Sequence, residues 1–255
     1  MIKSYGICQV AIAPVRASAS DEAEIVTQLL FGDYVKVLEQ EKPWIKIYFP
    51  ADDYEGWMDF KQLKYVSEDI YQEGIDTEHE VVKTGLLAVE GPIGKQHIIF
   101  GSNLPFLNGS EFEIGTLKCK VLDEIPEFDE DFCETALRYL NTPYLWGGKG
   151  ILGIDCSGFV QIAAKVHGIN IPRDASEQAE VGAKVRFDNR QEGDLMFFVN
   201  KNGHVHHVGI ILNEKEIIHA AGHVRIDTYD EKGIFRLDFD KHTHKFHSIK
   251  RIWNK

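Results

Sequence analysis

Short apolar runs alternating with polar positions fill the first half of the chain, and the period changes near residue 130. Segments 7–13, 34–38, 44–48 and 56–59 read as strands, separated by Phe31-Gly32-Asp33, Glu41-Lys42-Pro43 and Ala51-Asp52-Asp53. Their spacing predicts a small all-β barrel over residues 1–66. Residues 67–127 are again β-rich at 81–89, 97–100 and 112–121, with Gly91-Pro92, Gly94 and Asn108-Gly109 as turns. A second, divergent SH3-like β domain is expected there. Beyond Pro126 the pattern turns helical over 129–141, where Phe132, Cys133, Ala136, Leu137 and Leu140 share a face. A second helix follows from Ser157, with Phe159, Val160, Ile162, Ala163 and Val166 at helical spacing. Strands are then expected at 194–199, 206–212, Glu216–Ala221, 224–228 and 245–251. Helices followed by an antiparallel sheet make 128–255 an α+β domain.

The chemistry concentrates at Asp155-Cys156-Ser157-Gly158-Phe159, which follows a run carrying four glycines that forbid a regular element. Cys156 is thereby placed in the first turn of a helix, where unpaired N–H groups and the dipole favour a thiolate. A cysteine nucleophile needs a base within hydrogen-bond reach, and the base needs a partner to orient it. His207 opens Val208-Gly209-Ile210, and His219 closes Glu216-Ile217-Ile218, with Asn213-Glu214-Lys215 as a hairpin turn between. An even register, direct or offset by two, puts the two rings on one face with Cβ atoms roughly 4.5–8 Å apart. An odd register would put them on opposite faces. Gly209 is expected to leave room for the helix carrying Cys156. Cys156 then attacks a carbonyl, His207 shuttles the proton, His219 orients His207, and the Cys156 N–H is a candidate oxyanion donor. His206 is read as a core or surface partner. The competing reading gathers His204, His206, His207, His219 and Cys156 into a zinc site, although no pair has the usual finger spacing.

Lysine and arginine number 28 against 40 acidic residues, a net charge of −12. That balance argues against nucleic acid or an anionic membrane as partner and fits a solvated acidic surface, with a taste for cationic substrates as the sharper alternative. The four cysteines, Cys8, Cys119, Cys133 and Cys156, form no Cys-x-x-Cys pair, so reduced thiols and a cytoplasmic location are expected. Lys3 and Ala17-Ser18-Ala19 imitate an export signal, but residues 7–13 hold Gln9 and are followed by Pro14 and Arg16, which suits a strand. Neither a cofactor nor a bound metal is called for, and the oligomeric state is left open.

Two resemblances add to this reading. Pro14-Val15-Arg16-Ala17, Leu29-Leu30-Phe31-Gly32-Asp33, Trp44-Ile45-Lys46-Ile47 and Gly56-Trp57-Met58 resemble the bacterial SH3 (SH3b) pattern. Residues 144–222 resemble the NlpC/P60 cysteine peptidases, which have a papain-like core. The motifs are Tyr144-Leu145-Trp146-Gly147-Gly148, Asp155 to Phe159, Pro172-Arg173-Asp174, Gln178, Gly193 to Phe198, His207-Val208-Gly209 and Ile218 to Gly222. The resemblance implies a Cys156, His207, His219 triad and cleavage of the γ-D-glutamyl to meso-diaminopimelate or L-lysine bond of murein stem peptides. An SH3b domain joined to such a domain is similar to the dipeptidyl-peptidase VI branch. That branch implies free peptides with an unblocked N-terminal L-alanine as partners, releasing L-Ala-γ-D-Glu for cell-wall recycling. By the same resemblance Asp155, Tyr54 and Glu24 recognise the amine, with Asp21 and Glu22 competing for the last role. Ser157 and Ser176 resemble pocket-lining positions and Trp146 a pocket wall. Left as alternatives are a wall-acting N-acetylmuramoyl-L-alanine amidase, endopeptidase or acyltransferase, and a non-catalytic wall-binding protein with a zinc-loaded site.

Overall fold

The antiparallel pairing expected of the N-terminal strands gives a seven-stranded, curled SH3-like sheet. The structure, a computed structural model, describes residues 4–253; Lys3, part of the imitation export signal, lies outside them. The barrel strands run, in spatial order, Ile25–Leu30, Ile12–Arg16, Tyr54–Asp59, Trp44–Phe49, Tyr34–Glu41, Ser4–Cys8 and Leu63–Val66. The single strand expected at 7–13 is two strands, Ser4–Cys8 and Ile12–Arg16, that pair with different neighbours. Its apolar run looks continuous because Ile7, Cys8, Ala13 and Val15 are all buried, Ile7 on the opposite face of its strand from Cys8. Ala13, Val15, Leu29, Val35, Val37, Ile45, Ile47 and Met58 fill the barrel.

The second β-rich region opens with a helix absent from the sequence reading, α1 (Glu68–Asp76), capped by the Ser67 hydroxyl on the Ile70 N–H. Only Tyr71 and Gly74 of this helix are buried, although Ile70, Tyr71, Gly74 and Ile75 recur at helical spacing. A four-stranded sheet follows, in the order Gly94–Ile99, Leu86–Gly91, Leu117–Val121, Glu111–Ile114. Its inner residues, among them Val89, Ile98, Phe112 and Val121, share one core with Ile7, Phe31 and Tyr34 of the barrel. The chain divides into two compact units. The first runs to Phe128 and takes in Trp146–Ile151, a segment expected to lie with the later residues; the second is Asp129–Leu145 with Leu152 onward. Within the first unit, Lys149 Nζ reaches Asp52 at 2.5 Å, both nearly fully buried, and Asp52 also accepts from Thr27. Gly147 holds a positive φ of 75°, and a Cβ there would stand 2.4 Å from the Ile25 carbonyl oxygen, so the segment lies flat on the Ile25–Leu30 strand.

The second unit carries the expected helices and sheet. Helix α2 (Phe132–Leu137) is shorter than 129–141, and starts at Asp131 with a reciprocal capping box to Glu134. Helix α3 (Cys156–Lys165) is buried along nearly its whole length, and α4 (Ala175–Gln178) is a single turn. The sheet order is Ala183–Val185, Lys241–Arg251, Leu195–Val199, Val205–Ile211, Glu216–Ala221, His223–Asp230, Gly233–Arg236. Gly233–Arg236 pairs back onto Lys241–Arg251, so six of these strands close on themselves. No described helix is long and apolar enough to cross a membrane.

Candidate active site

Cys156 is the first residue of α3, as its sequence context predicts. Asp155 caps the helix: its Oδ1 accepts from the Gly158 N–H at 2.7 Å. Arg173, itself buried, clamps the same carboxylate, Nη1 to Oδ1 at 3.0 Å and Nη2 to Oδ2 at 2.5 Å, and donates to Ser157 Oγ at 2.9 Å. Gln178 adds a second brace, donating to the carbonyls of Ser157 and Pro172. The Pro172-Arg173-Asp174 and Gln178 motifs thus fix the start of α3, a role their spacing did not disclose.

The thiol faces Val205–Ile211. Its Sγ lies 3.9 Å from the carbonyl oxygen of His206, and the Val208 and Ser157 N–H groups point at it. The sulfur therefore touches the residues on both sides of His207. The expectation of a low thiol pKa is corrected here. Burial, aided by the Asp155 charge, pushes Cys156 up to about 12, outweighing the helix start, Arg173 and the two N–H donors. Burial thus favours the protonated thiol over the thiolate.

Gly209 pairs with His219, an even register with His207 and His219 offset by two on one face. Gly209 is needed for a different reason from the one its sequence suggests: a Cβ there would meet His219 Cβ and Ile217 Cδ1 at 2.9 Å, so it makes room for the neighbouring strand and not for α3. His207 Nε2 and His219 Nδ1 are 2.9 Å apart with the rings perpendicular, and His219 Nε2 stands 3.0 Å from Asp227 Oδ2. Asp227 was missed from the sequence. Arg225 grips it twice, Nε to Oδ2 at 2.6 Å and Nη2 to Oδ1 at 2.7 Å. Although burial works against it, the His219 and Arg225 hydrogen bonds hold the Asp227 carboxyl below its ordinary range.

An ionised carboxylate only accepts, so it fixes every proton along this row. His219 must carry its proton on Nε2, and its Nδ1 lone pair then accepts from His207 Nε2–H. The lone pair of His207 Nδ1 is left as the base. Burial first, then the neighbouring imidazoles His219, His244 and His206, hold His207 well below 6.5; burial also lowers His219 against the pull of Asp227. Both rings are neutral near pH 7, the state in which this relay can take a proton. Tyr144 stands close enough for the Cys156 and Asp155 charges to raise its phenol, after burial.

The other expected site residues fall as follows. Ser157 is buried in the Arg173 cluster, donating to Asp155 Oδ1 at 3.3 Å, while Ser176 is exposed on α4. In the first unit, Trp146 is 60% exposed and its Nε1 donates to Glu24 Oε1 at 2.6 Å; Tyr54 opens the Tyr54–Asp59 strand, half-buried. Asp21 and Glu22 are exposed in the same loop as Glu24. Among the described residues no three His, Cys, Asp or Glu side chains are grouped to hold a metal ion.

Comparison with known proteins identifies the family and the fold. The NlpC/P60 family model matches residues 141–240, and the bacterial dipeptidyl-peptidase SH3 domain matches 15–63. The chain is 31% identical over 219 residues to the γ-D-glutamyl-L-lysine dipeptidyl-peptidase of Bacillus subtilis, spanning 77% of this chain and 72% of that one. The chain belongs to the NlpC/P60 family. It is a cysteine peptidase with an N-terminal SH3-like barrel. It is also 29% identical to the dipeptidyl-peptidase 6 of Lysinibacillus sphaericus, over 89% of this chain and 93% of that one. A solved NlpC/P60 family protein from Bacillus cereus shares the fold at a TM-score of 0.77 and 23% identity, covering 98% of this chain and 99% of the other.

Proposed function

We propose that the enzyme hydrolyses the γ-D-glutamyl bond to L-lysine or meso-diaminopimelate in free murein stem peptides, releasing L-Ala-γ-D-Glu. The observation that carries the chemistry is the row from Asp227 through His219 to His207, with Cys156 Sγ against the backbone of the residues flanking His207. As Sγ attacks the γ-carbonyl carbon, the thiol proton passes to His207 Nδ1, and the charge developing on the carbonyl oxygen turns toward the Cys156 N–H at the start of α3. The imidazolium then protonates the departing amine, leaving a thioester on Cys156. Water, deprotonated by His207, hydrolyses the thioester and restores the thiol.

The substrate reading draws support from the relatives, two of which carry γ-D-glutamyl-L-lysine dipeptidyl-peptidase as their name. A free amine binds well only where it meets an acceptor in a dry site, and a blocked one leaves that acceptor unpaired. Asp155 adjoins the nucleophile in sequence, and its carboxylate is the acceptor this reading assigns to the ammonium. A cytoplasmic place in cell-wall recycling belongs to the same proposal; the four unpaired thiols suit a reducing compartment. The test offers L-Ala-γ-D-Glu-L-Lys, its diaminopimelate counterpart, the N-acetylated peptide and intact sacculi. Release of L-Ala-γ-D-Glu from the free peptides, with little from the other two, is expected. Preference for sacculi or for the blocked peptide would overturn it.

A further inference from the structure

His244 stands outside both the expected triad and the stretch matched by the family model, yet it touches the base. It lies on Lys241–Arg251, opposite Ile234. Its ring stacks on His207 at 4.2 Å between centroids with 26° between planes, while Phe198 meets it edge-on at 5.9 Å. The Thr243 hydroxyl lies 2.9 Å from its Nδ1.

The hydrogen bond to His219 cannot by itself fix the plane of His207. Rocking the ring about the Nε2–H···Nδ1 line keeps donor, hydrogen and acceptor aligned, so that bond is nearly unchanged. Rocking does swing Nδ1, the atom that must meet the thiol. A flat group against the ring face opposes this motion, and His244 is such a group.

We propose that His244 is a positioning residue for the peptidase reaction, its stacked imidazole holding His207 in the plane that presents Nδ1 to Cys156. This rests on Cys156 and His207 being nucleophile and base. The groups around His244 are His206, His207, His219, Phe198, Asp227 and Arg236. Burial foremost, with the imidazoles of His219 and His206 next, lowers it to about 4, so near neutral pH it stacks as an uncharged ring.

The test compares wild type, His244→Phe, His244→Leu, His244→Ala and Cys156→Ser as full-length proteins, each checked by thermal melting. Two readouts are taken: kcat and KM on L-Ala-γ-D-Glu-L-Lys, and the rate at which iodoacetamide alkylates Cys156. His244→Phe keeps a flat ring and should stay within about threefold of wild type, whereas His244→Leu, similar in bulk but not flat, should lose at least about tenfold in kcat with little change in KM. Alkylation should follow the same order. Equal activity and alkylation in the Phe and Leu variants would overturn the proposal, as would wild-type kcat in a folded His244→Ala protein. Activity surviving in Cys156→Ser would instead remove the nucleophile assignment. The alkylation order is read even if this peptide is not turned over, which separates failure of the substrate reading from failure of the positioning role.

Discussion

Replacing Asp227 by Asn removes one charge and almost no volume, and so isolates what the carboxylate does for the relay. Oδ2 of Asp227 faces two donors, Arg225 Nε at 2.6 Å and His219 Nε2 at 3.0 Å. An asparagine should therefore turn its carbonyl to that side and its NH₂ toward Arg225 Nη2, a single donor–donor conflict. The proton on His219 Nε2 is then kept, and the row of tautomers survives. What is lost is the negative charge that steadies the imidazolium while the thiol proton rests on His207. A hydrogen bond to a charged group contributes about 1.5–3 kcal/mol, so kcat should fall by roughly 10- to 150-fold. KM should move little, because Asp227 touches no substrate atom in this scheme. Asp227→Leu removes the acceptor altogether, frees the tautomer of His219 and should cost more. The assay is steady-state peptide cleavage with melting curves as a folding control. An Asp227→Asn enzyme with wild-type kcat would refute the claim that the carboxylate governs the relay.

Other expectations follow from the same contacts. Arg173→Met leaves the buried Asp155 carboxylate without its cation, and should destabilise the protein by about 3–5 kcal/mol in urea unfolding. His207, His219 and His244 are all lowered from 6.5, so below that pH the unfolded chain binds more protons than the native one. These histidines leave stability level just above pH 6.5 and make it fall as pH drops below that, by up to about 1.4 kcal/mol per pH unit for each histidine. For His244 the fall should end near pH 4; urea titrations at pH 7 and 5 would show it, and a flat profile would contradict the buried neutral cluster. The acid limb of kcat/KM should likewise lie well below 6.5, since His207 remains a free base there.

Much of the site could be read before the fold. Cys156, His207 and His219 followed from a glycine-rich approach to a helix and two strands joined by a short turn, and the Gly209–His219 pairing is one of the two registers that reading requires. Asp227 was reachable by the same means. Gly222 turns the chain between Ala221 and His223, which sets Arg225 opposite His219 and Asp227 on the same face. Arg173 was not reachable, because a loop residue meeting a helix cap has no periodicity to announce it. The thiol's environment was misjudged for a related reason: helix position is visible in the pattern, but burial of the whole first turn of α3 depends on tertiary packing. Helix α1 was legible too: Ser67 caps it and Ile70, Tyr71 and Ile75 lie at helical spacing, but the nine residues sit inside a stretch read as β-rich.

The most direct measurement is the mass of the enzyme quenched during turnover of L-Ala-γ-D-Glu-L-Lys, followed by peptide mapping. A thioester carrying L-Ala-γ-D-Glu on Cys156, absent in Cys156→Ser, is the predicted result. Turnover with no adduct on Cys156, together with activity in Cys156→Ser, would contradict the account.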